Sequence, residues 1–175
     1  GRTVNSNLDI ARVCQSVAEV LGRLMSFDRL VITQSIADGA RFRVVHVTGV
    51  PVDGADLGTA LMPLVTTQVG LAREDGCVLV GDLTPELLDH HPGLRSSGLR
   101  AWMQIPVGPA GEPLAYVSLR SRQQDAYTEQ DLALSKEIAL QIAPAFRNAA
   151  ILKELEKRVA DRTTDLSVSN AAKTM

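Results

Sequence analysis

The chain has 175 residues, about one domain's worth, and 45% of them are apolar, enough to bury a core. Aromatic residues make up only 3%, so that core must be built from Leu, Val, Ile and Ala. A formal charge of -2 gives no electrostatic footprint for nucleic acid or an anionic membrane surface. No window approaches the roughly 18 consecutive apolar residues of a membrane span. The N-terminal residues lack the charged, apolar, small-residue order of a signal peptide. The edges at Gly1 and Met175 lead us to expect a longer native protein. Cys14 and Cys77 have neither zinc nor redox spacing, so a reducing, cytoplasmic location is expected.

The first predicted element is a helix. Ile10, Val13, Val17, Val20 or Leu21, and Leu24 recur at steps of three and four, and Ser6 with Asp9 has capping-box spacing. Two strands follow, at 28–36 and 41–48, joined by a link with the hairpin pair Asp38-Gly39. Strict alternation turns Val45 and Val47 one way and Val44 and His46 the other. From Val50 to Arg73 the pattern is mixed, with a short helix expected at 64–72 after Pro63. Cys77 to Val80 reads as a short buried strand. Thr84 and Pro85 open a short helix that is expected to end at His91-Pro92-Gly93.

Strands are then predicted at 99–107 and 114–121, and their two faces differ in chemistry. Ala101, Met103, Ile105, Ala115, Val117 and Leu119 form an apolar set that must pack on helices. Arg100, Trp102, Gln104, Tyr116, Ser118 and Arg120 form a polar, amphipathic set facing something else. The last element is a long helix capped by Thr128 and Asp131. Apolar residues recur at Ile138, Ile142, Ala145, Ala149, Leu152, Leu155, Val159 and Leu166, mostly in coiled-coil steps of four and three. A stammer interrupts them at Leu152-Leu155-Val159, and Arg162 occupies a seam position. Pro144 should kink the helix near Leu140. A helix from Asp131 to about Asn170 spans roughly 60 Å, beyond what the domain can cover. Its stripe after Ile151 therefore predicts a helix from another chain.

Four blocks in this order resemble the GAF family of sensory domains: LDIARVCQSVAEVLGRLMSFDRLVITQS, CVLVGDL, GLRAWMQIPVGPAGEPLAYVSLRS and AYTEQDLALSKEIALQIAPAFRNAAIL. The resemblance implies an α+β fold, a GAF/PAS-like central antiparallel sheet with the terminal helices on one face and a ligand pocket on the other. It implies a GAF sensory domain at 1–150 and a signalling coiled-coil helix at 151–175. The tail LEKRVADRTTDLSVSN is similar to linkers that join such domains to histidine kinases and diguanylate cyclases.

The expected function is therefore that of a bacterial regulatory input module, not an enzyme. A small molecule or partner would act on an output kinase or cyclase through a parallel homodimer. Ile142, Ala149, Leu152, Leu155, Val159 and Leu166 are the expected dimer-helix residues. Trp102, Gln104, Tyr116, Ser118 and His46 are the expected ligand-binding residues, with the cofactor unknown and no metal site assigned. The alternatives are a GAF fold serving only as a dimerising spacer, and a metal- or haem-based gas sensor using His46, His90-His91 or Cys77 with Asp82. Cyclic-nucleotide-binding members carry Asn-Lys, Phe and Asp-Glu where this sequence has Ser121-Arg122, Tyr127 and Asp131-Leu132, which argues against cyclic GMP or AMP. Nothing matches the His-containing cysteine context of bilin-binding members. The branch that reduces free methionine sulfoxide uses several pocket cysteines, and this sequence has two.

Overall fold

A computed structural model describes residues 2–36, 40–62 and 71–173, with side chains described from residue 7 to residue 166. In chain order the elements are α1 (Arg2–Leu24), β1 (Arg29–Ser35), β2 (Phe42–Gly49), β3 (Ala60–Leu61), β4 (Val78–Val80), α2 (Pro85–His90), α3 (Pro92–Ser97), β5 (Ala101–Val107), β6 (Ala115–Ser121) and α4 (Glu129–Lys173). The strands form one six-stranded sheet in the order β3-β2-β1-β6-β5-β4, and every pairing is antiparallel. This is the expected α+β architecture with a long C-terminal helix.

Helix boundaries follow local chemistry. At the start of α4 the Thr128 backbone N–H donates to Asp131 Oδ2 at 2.9 Å, and the Asp131 N–H donates to Thr128 Oγ1 at 3.1 Å. This reciprocal capping box satisfies two amides that have no intrahelical partner. Thr84 caps α2 by accepting from the Leu87 N–H, with Pro85 in the first turn. The Ser6–Asp9 spacing, by contrast, lies inside α1, which already runs from Arg2. A capping spacing permits a start but does not force one, and no Gly or Pro between residues 2 and 9 breaks the helix. A second correction is α3, which restarts at Pro92 where the chain was expected to leave helix. The expected helix at 64–72 and the Asp38-Gly39 turn lie, up to residue 70 and entirely, outside the described residues.

One face of the sheet meets α1 and α4. Ile10, Cys14, Val17 and Leu21 of α1, and Ala139, Ala143, Phe146 and Ala149 of α4, close over Ala101, Met103, Ile105, Ala115, Val117 and Leu119. The predicted apolar set is thus the helix-facing set. Ala149 is 4% exposed and belongs to this core, and Ile142 packs partly against it. Both were expected in the dimer seam. They turn inward because the sheet lies under the first half of α4 and claims the nearest apolar side chains. Helix α4 passes through Pro144 as one continuous helix of 45 residues, about 68 Å at 1.5 Å per residue.

The turn out of β2 depends on Gly49. Its φ is +94°, and an added Cβ would stand 2.0 Å from the Asp28 carbonyl oxygen. That oxygen already accepts from the Val50 N–H at 2.8 Å. Gly49→Ala is expected to lower stability by about 2–4 kcal/mol through backbone strain and displacement of this pair. Urea denaturation followed by Trp102 fluorescence would measure the loss.

Candidate functional site

The second face of the sheet is covered by the crossover between β2 and β5. Two small clusters build this cover. Val78, Leu83 and Leu87 enclose Trp102, and Val52 packs with Leu94 and Leu99. Beside the second cluster lies a cavity of about 280 Å³, lined in part by Val52 and Leu94. Its floor comes from alternate residues of three adjacent strands: Arg29, Val31 and Thr33 of β1, Tyr116, Ser118 and Arg120 of β6, and Gln104 of β5. Period-2 alternation puts these on the face opposite the helices. The walls are Phe42, Val52–Ala55, Leu61, Met62 and the His90–Leu94 segment. Phe42 and Tyr116 meet as a tilted ring pair with centroids 4.9 Å apart. Gly93 lets α3 approach the loop, since a Cβ there would meet the Asp53 carbonyl oxygen at 2.6 Å.

Two arginines lie directly opposite each other in the floor, because Arg29 and Arg120 are partners in the β1–β6 register. They are 2% and 8% exposed. Arg29 is partnered at both terminal nitrogens: its Nη1 and Nη2 donate to the Val50 and Ala55 carbonyl oxygens, each at 2.7 Å. Burial lowers its pKa, and the charge of Asp56 partly offsets this. Arg120 stacks its guanidinium 4.5 Å from the centre of the Trp102 ring. Its Nη1 is buried with no hydrogen-bond acceptor. Burial and then the like charge of Arg29 lower the Arg120 pKa. Burial, then Arg120, then His90 make His91 harder to protonate.

The match to known families is extensive. Residues 9–146 match the family model described as the GAF domain. The chain belongs to the GAF domain family. Among solved structures, the GAF domain region of a Geobacter sulfurreducens PCA protein is similar at 20% identity and a TM-score of 0.64, covering 84% of this chain and 99% of that one. The GAF domain of a two-component sensor histidine kinase from Bacillus halodurans is similar at 14% identity and a TM-score of 0.61, covering 80% and 95%. A type II free methionine-R-sulfoxide reductase from Thermoplasma acidophilum is similar at 16% identity and a TM-score of 0.58, covering 85% and 96%. No curated protein matches the chain. At these identities the likeness concerns the GAF fold.

Within this GAF domain the residues expected to meet a ligand separate. Gln104, Tyr116 and Ser118 line the cavity. Trp102 shares their face but is 0% exposed, sealed beneath Leu83 and Leu87, and donates from Nε1 to Ser118 Oγ at 2.9 Å. It stands behind the cavity wall. His46 is on the wrong face. The β1–β2 register slips between Ile32 and Thr33, so Ile32 pairs with His46 while Thr33 pairs with Val44. The extra residue, Val45, reverses the alternation. His46 follows Ile32 to the helix side, where its Nε2 lies 2.8 Å from Thr48 Oγ1. Arg29 was not anticipated at the site, and Arg120 was placed only in the polar strand set. The signal for both was present in a charged residue at an inward strand position. His90 and His91 join the wall, but among the described residues no three His, Cys, Asp or Glu side chains converge to hold a metal.

Two predictions follow from this geometry. Ser118→Ala leaves the Trp102 N–H buried without an acceptor and should cost about 1–3 kcal/mol in urea denaturation. Burial also makes His46 harder to protonate, so both His46 and His91 have folded-state pKa values below the ordinary 6.5. The unfolded chain then binds more protons as pH falls through 6.5, and stability should be fully present above that pH and decline below it. Urea midpoints at about pH 7.5 and about pH 5.5 should differ in that sense, and the double variant His46→Asn/His91→Asn should reduce the difference.

Proposed function

We propose that this GAF domain is the input module of a bacterial signalling protein. Its cavity takes a small molecule, and α4 carries the effect to an output domain such as a kinase or cyclase. In this reading residues 1–150 are the sensory domain and 151–175 the signalling helix, in the cytoplasm. The observation that carries the reading is that β5 and β6 serve both layers. Gln104, Ser118 and Arg120 border the cavity, while their neighbours Met103, Ile105, Val117 and Leu119 pack in the core that includes Ala139, Ala143 and Phe146 of α4. A ligand that shifts these strands must repack the helix, because close-packed cores adjust by discrete steps.

The far half of α4 supports a dimer. Leu155, Val159 and Leu166 are 49%, 64% and 60% exposed in the single chain. Burial against a second copy would contribute about 1.5–3 kcal/mol for each fully covered side chain. Leu8, Val20 and Leu24 of α1 are likewise exposed and extend the apolar surface toward the other end. The histidine-kinase GAF domain of Bacillus halodurans, similar in fold, comes from a protein of the proposed type. Among the described residues no helix is long and apolar enough to cross a membrane.

An enzymatic role has less support. The fold is shared with a free methionine-R-sulfoxide reductase, and cysteine chemistry in this chain would require a reactive thiolate. Here both cysteines are buried. Burial raises Cys14 to about 12, and burial with the nearby Asp75 charge raises Cys77 to about 11. Thiols so protonated at neutral pH are weak nucleophiles.

Sedimentation at tens of micromolar should give a dimer. Leu155→Asp/Val159→Asp should convert it to a monomer while leaving the sensory domain folded, because both side chains are exposed within one chain. A wild-type monomer at that concentration would count against the reading.

A further inference from the structure

The cavity floor has an unbalanced set of donors. Among the described residues two that line this cavity each carry a buried nitrogen without an acceptor, Nη1 in Arg120 and Nε2 in Gln104. Both side chains are more than nine-tenths buried. Ser118 Oγ is turned to the Trp102 N–H and Arg29, itself cationic, has only donors to offer, so neither relieves them. A buried charge without a counter-charge destabilises a fold unless a bound partner neutralises it. The missing partner must accept hydrogen bonds and carry negative charge.

We propose that the cavity binds a small organic monocarboxylate, its carboxylate accepting from Arg120 and Gln104 and its apolar body lying against Val31, Phe42 and Leu61. This deepens the ligand-cavity reading given above and rests on it. The planar guanidinium fork suits a carboxylate. One uncompensated cation matches a monoanion better than a phosphate dianion, and Asp53 in the same wall adds no positive charge to balance a second negative one. A volume of about 280 Å³ stands at the small end of ligand cavities and suits a small organic acid. The side chain of Trp102 fixes Arg120 from behind through its ring. As the sole tryptophan, it also reports on that guanidinium.

The test uses the full chain with hexanoate and phenylacetate, their primary amides, and inorganic phosphate at matched ionic strength. The acids should raise the melting temperature with concentration and change Trp102 fluorescence, and the amides should bind at least tenfold more weakly. Phosphate should have no effect. Arg120→Met should abolish the response to acids while the unliganded protein melts no lower than the parent, because the variant removes an uncompensated buried charge. Arg120→Lys, which keeps the charge without the fork, should retain a weaker response. No response to either acid, equal binding of acids and amides, or a response that survives Arg120→Met would overturn the carboxylate assignment. So would an Arg120→Met protein that melts more than about 5 °C lower, since the guanidinium would then be structural. Equal binding of acids and amides would still leave a ligand cavity. Arg120-dependent acid binding by a protein that sediments as a monomer would uphold this assignment and count against the dimer-signalling reading.

Discussion

The β5–β6 pair is buried on both faces, and each face is covered by a different material. Alternate side chains of the same two strands enter an apolar layer under α1 and α4, and a polar layer under the crossover. Because side chains alternate with a period of two, neither layer can shift register without exchanging with the other. Met103 and Gln104 are neighbours in sequence, yet one packs with the helices and the other borders a cavity. The sheet is therefore a rigid part shared by both layers, through which a shift in one can reach the other. The crossover is fastened to it by Arg29, whose two bonds to the Val50 and Ala55 carbonyls hold the loop over the floor.

Features governed by nearest neighbours in sequence were legible before the fold was known. The Thr128–Asp131 box, the Thr84 cap and the two faces of β5 and β6 rest on spacing alone, and each has the expected geometry. The misplaced residues fail for reasons that spacing cannot carry. His46 lies beyond a bulge, and one extra residue reverses every later side chain on that strand. Trp102 has the expected face but not the expected exposure, because Leu83 and Leu87 come from a separate segment and cover it. The opposition of Arg29 and Arg120 joins positions 91 residues apart, so only strand pairing reveals that two cations share one floor. In the first turn after the restart at Pro92, Gly93 approaches the Asp53 backbone too closely for a Cβ, which is also a tertiary constraint.

Helix α4 shows the same distinction along one element. Its first half has two apolar stripes, and the domain takes the one containing Leu132, Ala139, Ala143, Phe146 and Ala149. The seam read from the coiled-coil repeat runs beside that stripe and coincides with it at Ala149. Beyond Leu152 there is no sheet beneath the helix, and the apolar side chains Leu155, Val159 and Leu166 are exposed. Periodicity locates an apolar stripe, but whether the domain or a partner covers it depends on where the domain ends.

The contrast between the two arginines shows what stability alone would select. Arg29 has what a structural cation requires: two carbonyl acceptors and a nearby carboxylate in Asp56. Arg120 sits directly opposite, is nearly as buried, and has an aromatic ring beneath it but no acceptor for Nη1. Cation–π contact contributes about 0.5–2 kcal/mol, less than the several kcal/mol that desolvating an ion costs. A second cation placed beside the first increases that cost. A fold shaped for stability alone would carry an apolar residue at position 120, since its cross-strand neighbour Trp102 could pack against one. An unbalanced charge in the floor of a cavity fits the carboxylate proposed to supply the opposite charge.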